Sequence, residues 1–415
     1  MMKKTAIVLS GGGSCGAYQI GVWKALRKLN INYQIITGTS VGALNGVMMV
    51  QNDYNKAYQL WTHLDYDLIF EKFIDKDSSE IQDTEIYLKY VDEFVKNGGA
   101  SISNLENVLN NVFNEHKFYN STIDYGIMVY NLTKMKSESV TKSTLSREKI
   151  KDYIIASATC FPAFKIKNID KQKYIDGGYG DNLPINLAID LGADKIIAID
   201  LEQMGMKKRI KNKEVDITYI KPRNDIGSFL IFEKNQARKN IRYGYNDTLK
   251  AYGVLKGNIY TFYKLGYEDF IKNKGSKIRN YLSHLQIEET DTTIKKIKNK
   301  IVAKVLDVNN ICISDLIDDS INYLGKVLNI DDTKIYFIFG FNIEIKRKFR
   351  QIEQLDIELI NNKIKNNKIS SLLGTKYIVK YIYENLKERN TTELSLLYTL
   401  FKKEFFAAVY LLCIK

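Results

Sequence analysis

The 415-residue chain holds only three prolines, four cysteines and three histidines, and its longest unbroken apolar run is Phe405–Ile414. Each scarcity excludes something. Cys15, Cys160, Cys312 and Cys413 are spaced too widely for a metal-ligand cluster or a short disulfide framework, which points to a reducing, cytoplasmic compartment and no bound metal. The prolines, Pro162, Pro184 and Pro222, all fall before residue 256, so the chain changes character near there. The opening segment Met1–Ser10 imitates a secretory leader, but its apolar run is only Ala6 to Leu9. A leader core needs roughly 7–15 apolar residues, so a first β-strand is expected in place of a signal peptide.

Nucleic-acid signatures are missing too. There is no zinc-finger spacing, no aromatic-and-basic RNA-binding motif and no long Lys/Arg block. The net charge is nevertheless +13, divided as +5 over residues 1–255 and +8 over 256–415. Such an excess suits an anionic lipid surface, the alternative being ordinary solvated surface.

With 45% hydrophobic residues the chain can build a substantial core, and its length suits two units. The segment 4–255 alternates short apolar runs with amphipathic stretches. Strands are expected at Lys4–Leu9, Tyr33–Thr37, 124–131, Lys173–Ile175, Lys195–Leu201 and Asp216–Ile220, with helices over Gly16–Leu29 and Val41–Val50 between them. A further helix is expected to start at Pro184 and stop before Gly192. This alternation predicts an α/β fold, a mostly parallel sheet with helices on both faces. Residues 256–415 read as mainly helical, with Lys/Asn-rich connectors such as Asn361–Lys368 and one strand-like stretch at Lys334–Phe341.

Three short elements could carry chemistry. The first is Gly11-Gly12-Gly13-Ser14-Cys15-Gly16, set between a strand and a helix. Its glycines can turn several N–H groups toward one point beside a helix N-terminus, a nest for a phosphate or an oxyanion. Gly11-x-Gly13-x-x-Gly16 also fits a dinucleotide fingerprint. That reading wants a carboxylate at the end of the second strand, where Ile35-Ile36-Thr37 has none, and no Gly-Lys-Ser/Thr closes the loop for a Walker motif. A purely structural glycine turn is the alternative.

The second element, Gly38-Thr39-Ser40-Val41-Gly42, has the Gly-x-Ser-x-Gly form of a strand-to-helix elbow that exposes a serine hydroxyl, with Gly38 and Gly42 letting neighbouring backbone approach. The third, Asp176-Gly177-Gly178, sets a carboxylate at a strand end, where it could take a proton from Ser40. Read alone, it is an ordinary Asp-Gly turn.

In this order and spacing the elements resemble the patatin-like phospholipases. The stretches Ala156-Ser157-Ala158-Thr159-Cys160-Phe161-Pro162 and Asp181-Asn182-Leu183-Pro184 strengthen the match, which runs over about residues 4–255. The resemblance implies a three-layer catalytic domain in which Ser40 is the nucleophile and Asp176 its base. Backbone N–H groups of the nest (Gly11, Gly12, Gly13, Gly16) would form an oxyanion hole. It further implies hydrolysis of fatty-acyl esters of membrane lipids, with no cofactor. The nest departs from the family pattern at Cys15, where Arg or Lys is usual, so a weakened member that binds lipid or a protein partner is the alternative. On that view Cys15→Arg is expected to raise turnover. A conventional triad would need a histidine, but His63, His116 and His284 all lie away from the motifs. Finally, the tail Leu394–Lys415 carries two apolar stretches split by Lys402-Lys403-Glu404. Charges at mid-bilayer exclude a membrane span, leaving a buried terminal helix or a segment lying on anionic lipid.

Overall fold

The computed structural model describes residues 3–64, 66–70, 99–287, 312–352, 375–388, 397–398 and 400–414. The Asn361–Lys368 connector and part of the tail's first apolar stretch lie outside these. The chain divides into two compact units, Met1–Tyr252 and Gly253–Lys415.

In the first unit the apolar runs form an eight-stranded sheet. Its strands are β1 (Thr5–Leu9), β2 (Ile35–Gly38), β3 (Asp124–Asn131), β4 (Lys136–Thr141), β5 (Lys167–Ile169), β6 (Gln172–Asp176), β7 (Lys195–Ile199) and β8 (Asp216–Ile220). The order is β5-β6-β3-β2-β1-β7-β8, with β4 paired to β3. The contiguous run from β3 to β8 is parallel, whereas β4, β5 and β6 join antiparallel.

Successive side chains of a strand point to opposite faces, and here both faces are covered. Ile7, Leu9, Ile36, Ile197 and Ile199 pack into one core, together with the helices α1 (Ala17–Lys28), α2 (Val41–Val50) and α3 (Tyr54–His63). Ala6, Val8, Ile35, Ile196 and Ala198 pack into the other, under the helix Ile185–Asp190. The result is the expected three-layer α/β fold. Helix α1 lies very close to the helix Lys234–Ala251: a β-carbon at Gly21 would sit 1.9 Å from the Ile241 carbonyl, so only glycine permits the approach.

The second unit is mainly helical, as read. Among the described residues, a small sheet of β9 (Leu255–Lys256), β10 (Thr261–Tyr263) and β11 (Ile335–Tyr336) accompanies five longer helices. The strand read at Lys334–Phe341 is mostly helix, because β11 is two residues long and Ile338–Arg350 is helical. Ile338, Phe341, Ile345 and Phe349 recur at the helical period and are all buried, and that periodicity overrides the local β-propensity.

The tail helix Lys402–Cys413 belongs to the core of this unit. Phe405, Ala407, Ala408, Val409 and Tyr410 are buried, and the buried Glu404 accepts a 2.9 Å hydrogen bond from the Tyr323 hydroxyl. The segment is therefore packed inside protein, which overturns the lipid-surface reading for these residues. Among the described residues no helix is long and apolar enough to cross a membrane.

Candidate active site

Strand β2 ends at Gly38 and α2 begins at Val41, leaving two residues to turn the chain. Ser40 makes that turn at φ 57 and ψ −126, a left-handed conformation that costs a non-glycine residue roughly 1–3 kcal/mol. The flanking glycines make the turn possible. A β-carbon at Gly42 would lie 2.5 Å from the Leu9 carbonyl oxygen, and one at Gly38 equally near the Gly42 carbonyl. The elbow is braced from outside as well. Thr39 donates its hydroxyl to the Asp181 carbonyl (2.8 Å), and the Ser40 N–H donates to the Ser157 hydroxyl (3.0 Å). Ser40 therefore sits at the positive end of α2 with its hydroxyl facing a cavity.

Asp176 ends β6, which pairs with β3 at Val129. Gly177 must follow, because a β-carbon there would press to 2.2 Å from the Met128 carbonyl. The turn brings the Gly178 N–H to the Asp176 carboxylate at 2.7 Å. Burial pushes the Asp176 pKa up to about 6. The adjacent Ser40 hydroxyl and the Gly178 N–H, both hydrogen-bonded to the carboxylate, oppose that rise. Serine and carboxylate thus meet although they lie far apart in sequence.

The four nest glycines separate into two roles. Gly11 cannot donate to a ligand, since Asn182 takes its N–H through both the backbone and side-chain oxygens (3.1 Å each). Gly16 is a packing position, tight against Val41 and Trp61. Gly12 (φ 155) and Gly13 (φ 51) line the same cavity as Ser40, and among the described residues neither N–H has an acceptor. The segment 226–232 clamps this arrangement from behind. Ser14 donates its N–H to Phe229 and its hydroxyl to Ser228, and a β-carbon at Gly13 would lie 2.0 Å from the Phe229 carbonyl.

Cys15 points away from the cavity into the core, its thiol against the Ile226 and Gly227 carbonyls and its pKa pushed by burial to about 12. It leaves the Gly12 and Gly13 donors untouched. The cavity's own thiol, Cys160, is likewise held protonated, raised to about 12 by burial and by the Asp176 charge. His63 and His116 hydrogen-bond within their own helices.

The cavity encloses about 550 Å³ and is walled mainly by apolar side chains. Leu44 and Met48 come from α2, Leu60 and Trp61 from α3, Leu105, Val108 and Val112 from the helix Ser103–Val112, and Phe229, Leu230 and Phe232 from the clamping segment. These last two contributors were not singled out from the sequence. The Leu105, Val108, Leu109, Val112 periodicity was visible there, but nothing linked it to the motifs.

Residues 7–189 match the family model described as patatin-like phospholipase. Patatin-like phospholipase domain-containing protein 7 of Rattus norvegicus is 28% identical over 204 residues, 47% of this chain and 13% of that protein. Lysophospholipase nte1 of Aspergillus terreus is 26% identical over 208 residues, 48% of this chain and 12% of that protein. The chain therefore spans only a small part of the length of these curated relatives. Among solved structures, VipD from Legionella pneumophila aligns over 100% of this chain and 92% of its own, at 14% identity and a TM-score of 0.39. Residues 7–189 therefore carry a patatin-like phospholipase domain by this match, and it is that part of the chain which resembles these relatives.

Proposed function

We propose that the first unit is a lipid acyl hydrolase that cleaves fatty-acyl esters of membrane lipids through a covalent Ser40 acyl-enzyme. The observation that carries this reading is the pairing of the Ser40 hydroxyl with the buried Asp176 carboxylate at the end of an apolar cavity. Asp176 takes the hydroxyl proton as the Ser40 oxygen attacks the ester carbonyl, and a carboxylate with a pKa near 6 is ionised at neutral pH yet more basic than usual. The unclaimed N–H groups of Gly12 and Gly13 receive the oxyanion, helped by the N-terminus of α2. Collapse of the intermediate leaves the acyl group on Ser40, and the proton held by Asp176 passes to the departing alcohol. Water repeats the sequence with the same base and releases the fatty acid. The apolar wall accepts the acyl chain, which explains a cavity with so few polar side chains around its reactive end.

Ser40→Ala tests the reading. Hydrolysis of p-nitrophenyl esters and of phospholipid should fall by several orders of magnitude, with the circular dichroism spectrum unchanged. Undiminished hydrolysis by the folded variant would sink the mechanism.

A further inference from the structure

The cavity mouth carries an unusual rim. Met204 is 85% exposed, Met206 64%, Tyr179 42% and Phe161 38%, and all four line the same opening. Large apolar side chains grouped at a cavity mouth call for a partner in a way that scattered ones do not. The two methionines are not on a loose tether. The Met206 N–H donates to the Gly178 carbonyl (2.9 Å), the Met206 carbonyl accepts from the Asn182 N–H, and Asn182 Nδ2 reaches the Met204 carbonyl (3.4 Å). Between them Gly205 turns at φ 146, directly over the Asn182 side chain. The apolar tips are held outward by the same backbone that shapes the Asp176 turn.

Immediately after Met206 come Lys207, Lys208, Arg209, Lys211 and Lys213, all exposed. Lys207 pairs with Asp200 (2.6 Å) and Lys211 with Asp190 (3.2 Å). Lys208, Arg209 and Lys213 form no ion pair among the described residues. Of the acidic groups nearby, Glu202 pairs with Lys221 (2.8 Å), the buried Asp181 accepts from the Lys208 N–H (3.5 Å) and feels its charge, and Glu214 is exposed, leaving the segment with a net excess of cations.

We infer that the segment Met204–Lys213, with Phe161 and Tyr179, is a docking surface for an anionic phospholipid bilayer. The apolar rim enters the headgroup region while Lys208, Arg209 and Lys213 meet the lipid phosphates. Apolar side chains bordered by unpaired cations are the pattern of an interfacial anchor. A soluble protein partner would not explain why the rim surrounds the opening through which an acyl chain must pass. The inference rests on the proposed hydrolase reading for its substrate, but binding is measured without catalysis.

The test is co-sedimentation of the full chain, in a Ser40→Ala background, with vesicles of phosphatidylcholine alone or mixed with phosphatidylserine. Mixed vesicles should bind the protein more tightly, and added salt should weaken that preference. Lys208→Gln with Arg209→Gln should weaken binding to mixed vesicles by roughly fivefold per cation removed. Met204→Gln with Met206→Gln should weaken binding to both vesicle types. With Ser40 intact, the Lys208/Arg209 variant should hydrolyse a soluble ester at the unaltered rate, which also establishes that it is folded. Wild-type-like vesicle binding by both variants, or equal binding to the two vesicle types, overturns the docking surface. Vesicle binding of the expected pattern, in a protein that hydrolyses no ester with Ser40 intact, overturns the hydrolase reading and leaves the surface standing.

Discussion

In the first unit, the buried polar side chains Thr39, Ser40, Ser157, Asp176 and Asn182 converge on one end of the sheet, bonded to each other's segments, and Ser40, Asp176 and Asn182 face an open cavity. In the second unit, the buried polar groups are spread over several helices and bond within their own helix or to a neighbouring one. Ser320 bonds back to the Leu316 carbonyl, Asn342 accepts from Tyr410, and Glu404 accepts from Tyr323. Burying polar groups is costly unless they are satisfied, and each of these finds a partner, although Asn342 Nδ2 is left without one. The first gathers them around space that a ligand can enter. Convergence, more than burial itself, distinguishes a site from a stitched core.

The largest expected effect separates the units outright. Asp176→Asn should lower ester hydrolysis on the order of 10⁴-fold, because an amide cannot take the serine proton, while His284→Ala in the second unit should leave it unchanged. A crippling histidine change would replace the proposed Ser40–Asp176 pair with a triad.

Glycines give the next contrast. Gly13→Ala forces a methyl onto the Phe229 carbonyl and distorts the donor loop, so hydrolysis should drop by roughly 100- to 1,000-fold, the scale of one oxyanion donor. Gly253 also has positive φ (69) but nothing within 4 Å of a β-carbon, so Gly253→Ala should cost only about 1–2 kcal/mol in a denaturant titration and leave hydrolysis intact.

Cys15→Arg is expected to reverse the sequence-based expectation. The site is a sealed part of the core, and an added guanidinium should destabilise the first unit by several kcal/mol without raising turnover. A faster, equally stable variant would show that the nest wants a cation after all.

The smallest effect concerns pH. The folded Asp176 has its pKa raised from 3.8 to about 6, so its contribution to stability is full below 3.8 and is lost as pH rises through 6, about 3 kcal/mol in all. Asp176→Asn does not titrate and escapes that loss, so its melting temperature should exceed the wild type's by more at pH 8 than at pH 5. In the wild type, kcat/KM should fall as pH drops below about 6, when the base is protonated.

How far the sequence disclosed this arrangement depended on whether a signal was local. Glycine spacing and the short apolar runs marked the elbow and the strands β1, β2, β3, β6, β7 and β8, since turns with positive φ and buried strands each leave a compositional trace. Strand β4, Lys-Ser-Glu-Ser-Val-Thr, left none: it is polar and half exposed, and it is defined only by its pairing with β3. The cavity wall was hidden for the same reason, because the helix Ser103–Val112 and the segment 226–232 reach Ser40 only through tertiary packing. Cys15 looked like a defect in the nest until its side chain was seen to face inward.

Asn182 makes these parts non-interchangeable. Its oxygens hold Gly11, its N–H holds Met206 and its amide reaches Met204, so one side chain and one peptide unit span the donor loop and the exposed rim. A rim segment grafted from a relative would arrive with its own spacing and would pull, through residue 182, on the backbone that presents Gly12 and Gly13. The rim therefore cannot drift in length or be transplanted by itself. Exchange of the rim segment between family members should succeed only where position 182 and the glycine loop travel with it.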